Sequence, residues 1–203
     1  MTSRASHILL VVSAFLTGLV IFLGVFMIAT GNLGGSGSGA PGASAIGGPF
    51  QLIDQDGKPI SDQDMKGKPF LVFFGFTHCP DVCPTTLFEV SELMRVLGKD
   101  ADRAAALFIS VDPERDTPAK MKDYLSSFDP RVRGATGNRA AIEAAEKAYR
   151  VYAKKIPSDK DKDDYSMDHT ALVYLMDKQG RFVAPFSLKR PPAEAAAELR
   201  KYL

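Results

Sequence analysis

Residues 70–84 read Phe70-Leu71-Val72-Phe73-Phe74-Gly75-Phe76-Thr77-His78-Cys79-Pro80-Asp81-Val82-Cys83-Pro84. The first five are apolar and β-favouring and predict a buried central strand. The stretch then turns and delivers Cys79 and Cys83, the only cysteines of the chain. Pro84 is excluded from a helix interior but welcome in a first turn, so a helix is expected to begin near Cys83. The positive end of that helix dipole would face the sulfurs, which predicts lowered thiol pKa values. Thiolates serve disulfide exchange, peroxide reduction and metal binding alike, so the turn by itself leaves three chemistries open. The inert alternative, two cysteines packed as small apolar groups, is disfavoured because paired cysteines at a strand-to-helix turn are seldom idle.

Beyond the turn, Leu87, Val90, Met94 and Leu97 recur at helical spacing, and Gly98 stands where a C-terminal cap belongs. Residues 105–111 read as a second buried strand. Thr117-Pro118 is a helix start, with Met121, Tyr124, Leu125 and Phe128 on its apolar face. Asn138 caps another helix with Ile142, Ala145, Tyr149 and Tyr152 along one side. The charged run 158–164 reads as a solvated loop tip. Residues 170–176 form a third buried strand, the turn 177–180 leads into a returning strand at 181–187, and Pro191-Pro192 opens a final helix. Upstream of the cysteines, residues 50–53 and 58–60 flank Asp54-Gln55-Asp56-Gly57, a hairpin signal. Strands interleaved with helices imply an α/β sandwich. A strand feeding a cysteine turn and then a helix, in this order of elements, is the thioredoxin-like pattern. The expected fold is therefore an α/β thioredoxin-like sandwich with an N-terminal β-hairpin, spanning residues 50–203.

The N-terminal part differs in kind. Residues 1–7 are short and polar, and residues 8–30 carry no charge. As a helix the apolar run would span about 34 Å, enough to cross a bilayer core. It exceeds the usual apolar region of a cleaved signal peptide, so it reads as one uncleaved transmembrane helix. Arg4 precedes it and no Lys or Arg follows until Lys58. The positive-inside rule then places residues 1–7 in the cytoplasm and the domain outside. No transit-peptide segment precedes the run, which favours a bacterial inner membrane with a periplasmic domain over the mitochondrial inner membrane. Residues 31–49, rich in glycine and serine, read as a flexible linker. The chain carries 25 Lys and Arg against 24 Asp and Glu. Arg4 is the only charged residue before position 50, so the rest is balanced and offers no electrostatic footprint for nucleic acid. Two cysteines are too few for a disulfide framework.

Three residues, Pro80, Asp81 and Val82, separate the cysteines. Thioredoxin-type reductants use two and place a tryptophan before the first cysteine; this chain has no tryptophan. A peroxidase needs a different threonine-to-cysteine spacing from that of Thr77-His78-Cys79. Two thiolates suit Cu(I), Zn(II) or a heavy-metal ion. His169, just before the third buried strand, is the candidate third ligand, since that segment lies opposite the cysteine turn in a thioredoxin-like sheet. Two sulfurs and one nitrogen would match copper in both oxidation states. His78 is expected to point away from Cys79, and His7, beside the apolar run, is read as incidental. Met167 reads as a packing residue. Asp81 and Asp168 are candidates to support the ligands or to serve as turn residues.

Residues 75–84, residues 110–118 (Ser-Val-Asp-Pro-Glu-Arg-Asp-Thr-Pro) and Asp168-His169-Thr170 together resemble the Sco/SenC family of copper-binding assembly proteins. The similarity covers about residues 50–190. It implies a thioredoxin-like fold, a membrane anchor, and copper held at the positions matching Cys79, Cys83 and His169. It also implies a role in maturing the dinuclear copper centre of cytochrome c oxidase. The expected partners are the copper-site subunit of that oxidase and another periplasmic copper chaperone. Two functions follow. One is a copper metallochaperone using all three ligands for Cu(I), Cu(II) or both. The other is an enzyme, a thiol-disulfide oxidoreductase, that keeps the oxidase cysteines reduced with Cys79 and Cys83 alone. A copper or redox sensor is a third reading.

Overall fold

The computed structural model describes residues 13–23, 25–26, 46–158 and 164–203. Residues 13–23 and 25–26 are helical (α1). The transmembrane run expected over residues 8–30 lies partly outside the described residues, and among those described no helix is long and apolar enough to cross a membrane. Residues 1–7 and most of the expected linker also lie outside them. Near the end of that linker Gly47 N–H donates to the Ala148 carbonyl at 2.9 Å, and Phe50, the first residue of the expected domain, is buried.

The domain is built on a seven-stranded sheet in the order β2-β1-β5-β4-β3-β8-β9. Its strands are β1 (Gln51–Asp54), β2 (Pro59–Ser61), β3 (Phe70–Gly75), β4 (Ala105–Ser110), β5 (Val132–Thr136), β8 (Val173–Met176) and β9 (Phe182–Pro185). Two further strands, β6 (Ala153–Pro157) and β7 (Tyr165–His169), pair only with each other. The helices are α2 (Val82–Leu97), α3 (Pro118–Leu125), α4 (Arg139–Tyr149) and α5 (Pro192–Arg200). Every residue of β3 is buried, because it lies between parallel β4 and antiparallel β8 with helices on both faces. Phe73 stacks on its register partner Phe108 with ring centroids 5.3 Å apart, on the face that Tyr124 of α3 also covers. Phe74 points the other way and meets Tyr149 of α4 at 5.5 Å. The period of two along β3 thus separates the two helical layers. This is the α/β thioredoxin-like sandwich with an N-terminal hairpin.

Three departures from the sequence reading have physical causes. The strand β5 was not foreseen, because Val-Arg-Gly-Ala-Thr has no alternation and a glycine at its centre. That glycine is required: a Cβ on Gly134 would lie 2.5 Å from Leu125 Cδ1 and 2.9 Å from Met121 Cε, so α3 could not settle on the strand. The β6–β7 ribbon was also missed; the charged run joins its strands, and Met167 is its only buried residue. Phe128 and Tyr152 fall outside the helices to which their spacing assigns them, since α3 ends at Leu125 and α4 at Tyr149. Arg150 in the left-handed region, φ 56°, turns the chain away there.

One buried group sits uneasily in this frame. Glu146 of α4 is only 8% exposed, and its Oε1 has no hydrogen-bond partner among the described residues. Burial pushes its carboxyl up to about 7. A raised folded-state pKa adds stability below the ordinary carboxylate range, and that stability is lost as pH rises through the folded value. Glu146→Gln is therefore expected to stabilise the protein by about 1 kcal/mol at pH 8, after allowance for solvent screening, and by nearly nothing at pH 5. Denaturant unfolding at the two pH values checks this; an equal effect at both would contradict it.

Candidate metal centre

The centre is assembled where β3 ends. The chain leaves the sheet at Gly75, buries Phe76, and turns so that Cys79 N–H donates to the Phe76 carbonyl at 3.3 Å. Helix α2 then starts at Val82, with Asp81 at the N-cap position but making no side-chain cap bond. Cys83, in the first turn, is fully buried, while Cys79 is half-buried; both are free thiols. Gly75 makes this burial possible. A Cβ there would lie 2.8 Å from Cys83 Sγ and 2.8 Å from Phe108 Cε2. The Cys79 sulfur accepts the Cys83 backbone N–H at 3.4 Å, so the start of the helix serves Cys79.

For Cys83 the expected lowering of the thiol pKa is not met. Burial pushes this thiol well up, and the nearby Cys79 and Asp116 add to the rise. The Phe76 backbone donor opposes them without reversing the direction. Desolvation, which dominates for a sulfur with no solvent contact, outweighs the helix dipole here. The two thiols are therefore unequal: one reachable, one hidden.

His169 comes to the hidden sulfur from the other side. It is the last residue of β7, not the lead-in to β8, and its Nε2 stands 4.0 Å from Cys83 Sγ. Its Nδ1 is 3.2 Å from the Thr170 carbonyl. A carbonyl can only accept, so Nδ1 carries the proton and Nε2 keeps its lone pair towards the sulfur. The ring lies edge-on to Phe76, with centroids 5.8 Å apart at 88°. Burial lowers its pKa, which keeps the imidazole neutral and able to ligate.

The residues that hold these groups in place lie in 110–118, a segment read from the sequence as a strand end, a helix cap and part of the family resemblance, with no role given to its acids. Asp116 has no solvent exposure. Its carboxylate accepts the Thr77 N–H at 3.0 Å, the Thr77 hydroxyl at 2.6 Å and the Ser110 hydroxyl at 2.6 Å. Burial raises its pKa, although these bonds oppose the rise. Asp112, also fully buried, accepts Arg115 Nε at 2.6 Å and the Tyr165 hydroxyl of β7 at 2.8 Å. Arg115 and Lys155 both lie over the Tyr165 ring, 3.7 Å and 4.1 Å from its centroid. One loop thus ties the cysteine turn to the ribbon that carries His169. The signal in the sequence was a run of acids between a buried strand and a helix cap, too polar for a core and too short for a solvated loop.

The remaining candidates stand apart. His78 is exposed and faces Asp164 at 4.0 Å. Asp81 and Asp168 are exposed, and Met167 packs in the core. His7 lies outside the described residues. Among the described residues, no three His, Cys, Asp or Glu side chains already stand at metal-ligating distances. Cys83 and His169 nevertheless fit a shared ion. Bonds of about 2.3 Å to sulfur and about 2.0 Å to nitrogen, as for zinc, put those atoms roughly 3.7 Å apart at trigonal angles.

Removing Asp116 tests the scaffold. Asp116→Ala leaves three buried donors unpaired and is expected to cost about 3 kcal/mol in urea unfolding. A loss below about 1 kcal/mol would show that the loop does not hold the turn.

A family model described as SCO1/SenC matches residues 38–203. The copper-bound structure of Bradyrhizobium japonicum ScoI is 65% identical, with a TM-score of 0.75, and the match covers 78% of this chain and 99% of that one. A SCO2-like protein of Rickettsia felis is 39% identical over 149 residues, 73% of each chain. BsSco, a member of the Sco family of cytochrome c oxidase assembly proteins in which a disulfide switch has been identified, is 25% identical. Its TM-score is 0.59, with 76% of this chain and 91% of that one covered. The paired thiols, the facing histidine and a family match over most of its length agree: this chain belongs to the SCO1/SenC family.

Proposed function

We propose that this protein is a copper metallochaperone that binds the ion through Cys79, Cys83 and His169 and supports maturation of the dinuclear copper centre of cytochrome c oxidase. The observation that carries this reading is the 4.0 Å approach of His169 Nε2 to Cys83 Sγ, with the ring proton committed to the Thr170 carbonyl. A histidine so prepared is suited to hold a metal, and dithiol exchange by two cysteines does not require it. Copper is the cargo, a reading supported by the structure of the Bradyrhizobium japonicum relative with copper bound. Two sulfurs and one nitrogen satisfy Cu(I) and keep Cu(II) acceptable. Cys79, half-buried beside the helix start, is the ligand that can reach outward, towards the copper-site subunit of the oxidase or another copper chaperone. Residues 8–30 would anchor the chain in a bacterial inner membrane, with residues 1–7 cytoplasmic and the domain periplasmic.

The unequal thiols favour a second reading, a thiol-disulfide oxidoreductase in which reachable Cys79 attacks and buried Cys83 resolves. The two differ in their need for His169. Copper titration of the reduced full-length protein, wild type and His169→Ala, decides the ligand set. The substitution is expected to weaken Cu(I) binding by at least about tenfold, one lost ligand being worth about 1.4 kcal/mol or more, and to abolish the Cu(II) charge-transfer spectrum. Unchanged affinity and spectrum would remove His169 from the site. Rescue of oxidase assembly by the His169→Ala protein would favour the oxidoreductase.

A further inference from the structure

The ribbon β6–β7 meets the rest of the domain through one face of β7. Tyr165, Met167 and His169 lie two residues apart on that face, and Ser166 and Asp168 between them are exposed. Each inward residue makes a separate contact. Met167 is buried in the core. His169 Nε2 stands 4.0 Å from Cys83 Sγ. The Tyr165 hydroxyl donates to the fully buried Asp112 at 2.8 Å.

Position along the ribbon gives these contacts different tasks. His169 pairs with Ala153 at the root, where both strands join the domain; Tyr165 pairs with Pro157 at the tip. Chain connections fix the root. A two-stranded ribbon is weak by itself, so its tilt depends on what holds the tip. Tyr165 is held there on three sides. Asp112 takes its hydroxyl, and Arg115 and Lys155 lie over its ring at 3.7 Å and 4.1 Å. Arg115 Nε also donates to Asp112 at 2.6 Å, so ring, guanidinium and carboxylate close one cycle. Burial and then Asp112 push the phenol pKa up to about 12, so the hydroxyl keeps its proton and stays the donor. Four residues of strand make a lever of about 14 Å. A shift of about 3 Å at the tip turns it by about 13°, comparable with the 10–20° within which a ligand must be aimed.

We propose that Tyr165 is a positioning residue for the nitrogen ligand: by locking the ribbon tip to Asp112 it aims His169 at the metal, and so sets how well the centre accepts Cu(II) beside Cu(I). This rests on the copper reading of the site. Two thiolates alone favour Cu(I), and the imidazole is what makes Cu(II) acceptable. A ribbon free to tilt therefore loses Cu(II) first.

The test compares wild type and Tyr165→Phe as full-length reduced proteins, titrated anaerobically with Cu(I) and with Cu(II). The substitution keeps the ring under its two cations and removes only the hydroxyl. Asp112 keeps its bond from Arg115, so the domain is expected to stay folded. Cu(II) affinity is expected to fall about tenfold, the low end for a group that acts on a metal through its ligand, and Cu(I) affinity by no more than about threefold. In the copper-free protein the amides of residues 165–169 are expected to exchange with solvent about tenfold faster, while those of β3 keep their rates. Ser61→Ala, which removes a side-chain hydrogen bond to Asp64 beside the edge strand β2, controls for a lost bond elsewhere and should leave both affinities unchanged. Equal weakening of the two oxidation states, unchanged exchange in the ribbon, or the same Cu(II) loss in Ser61→Ala overturns the proposal while the metallochaperone reading stands. Wild type that binds copper in neither state overturns that reading, and the proposal with it.

Discussion

A carboxylate without solvent, Asp116, is the constraint on which the site depends. Burying it is unfavourable unless donors surround it, and Thr77 and Ser110 supply three. Thr77 lies two residues before Cys79, and Ser110 is the last residue of β4. Meeting the needs of one acid therefore fixes the cysteine turn against the neighbouring strand. Asp112, four residues earlier, does the same for the ribbon through Tyr165. Between them the two acids make the turn and the ribbon adopt one relative position.

Burial then divides the labour of the two sulfurs. Gly75 lets Cys83 sink against Phe108, where desolvation holds its proton. Cys79 stays at the surface with a backbone donor. A thiol with a raised pKa is a poor nucleophile by itself, but a bound cation removes the penalty by replacing the proton. The same asymmetry serves metal binding and disulfide formation. The histidine, prepared as a neutral donor, is the feature that separates them.

Much of this was legible in the sequence. The apolar run of β3, the spacing of α2, the caps at Thr117 and Asn138 and the pair Cys79 and Cys83 all announce themselves through local rules. His169 was legible as the candidate third ligand, from its place before a strand opposite the cysteine turn; its partner Thr170 and its ribbon were not. The elements that escaped are those whose residues answer to distant neighbours. Gly134 breaks a strand pattern because α3 needs its space. The ribbon has little apolar signal because salt bridges and Tyr165 hold it, not a core. Asp112 and Asp116 looked like loop residues because a buried acid shows its purpose only when its donors, 39 and 53 residues away, are in view. The pKa of Cys83 failed for the same reason: the dipole is local, but burial depends on the whole fold.

The ribbon β6–β7 has one further consequence. The two sulfurs follow β3, the strand inside the seven-stranded sheet, on its turn and on the start of α2, whereas the His169 nitrogen rides on a two-stranded ribbon that pairs with none of those strands. That appendage is fastened by Lys155 to Glu114 at 2.6 Å, Arg115 to Asp164 at 3.1 Å, and the cations around Tyr165. Exposed ion pairs of this kind weaken with ionic strength, while a buried apolar sheet does not. The centre is thus a joint between a stiff jaw and a soft one, and surroundings that screen charge or compete for it act on the nitrogen arm first.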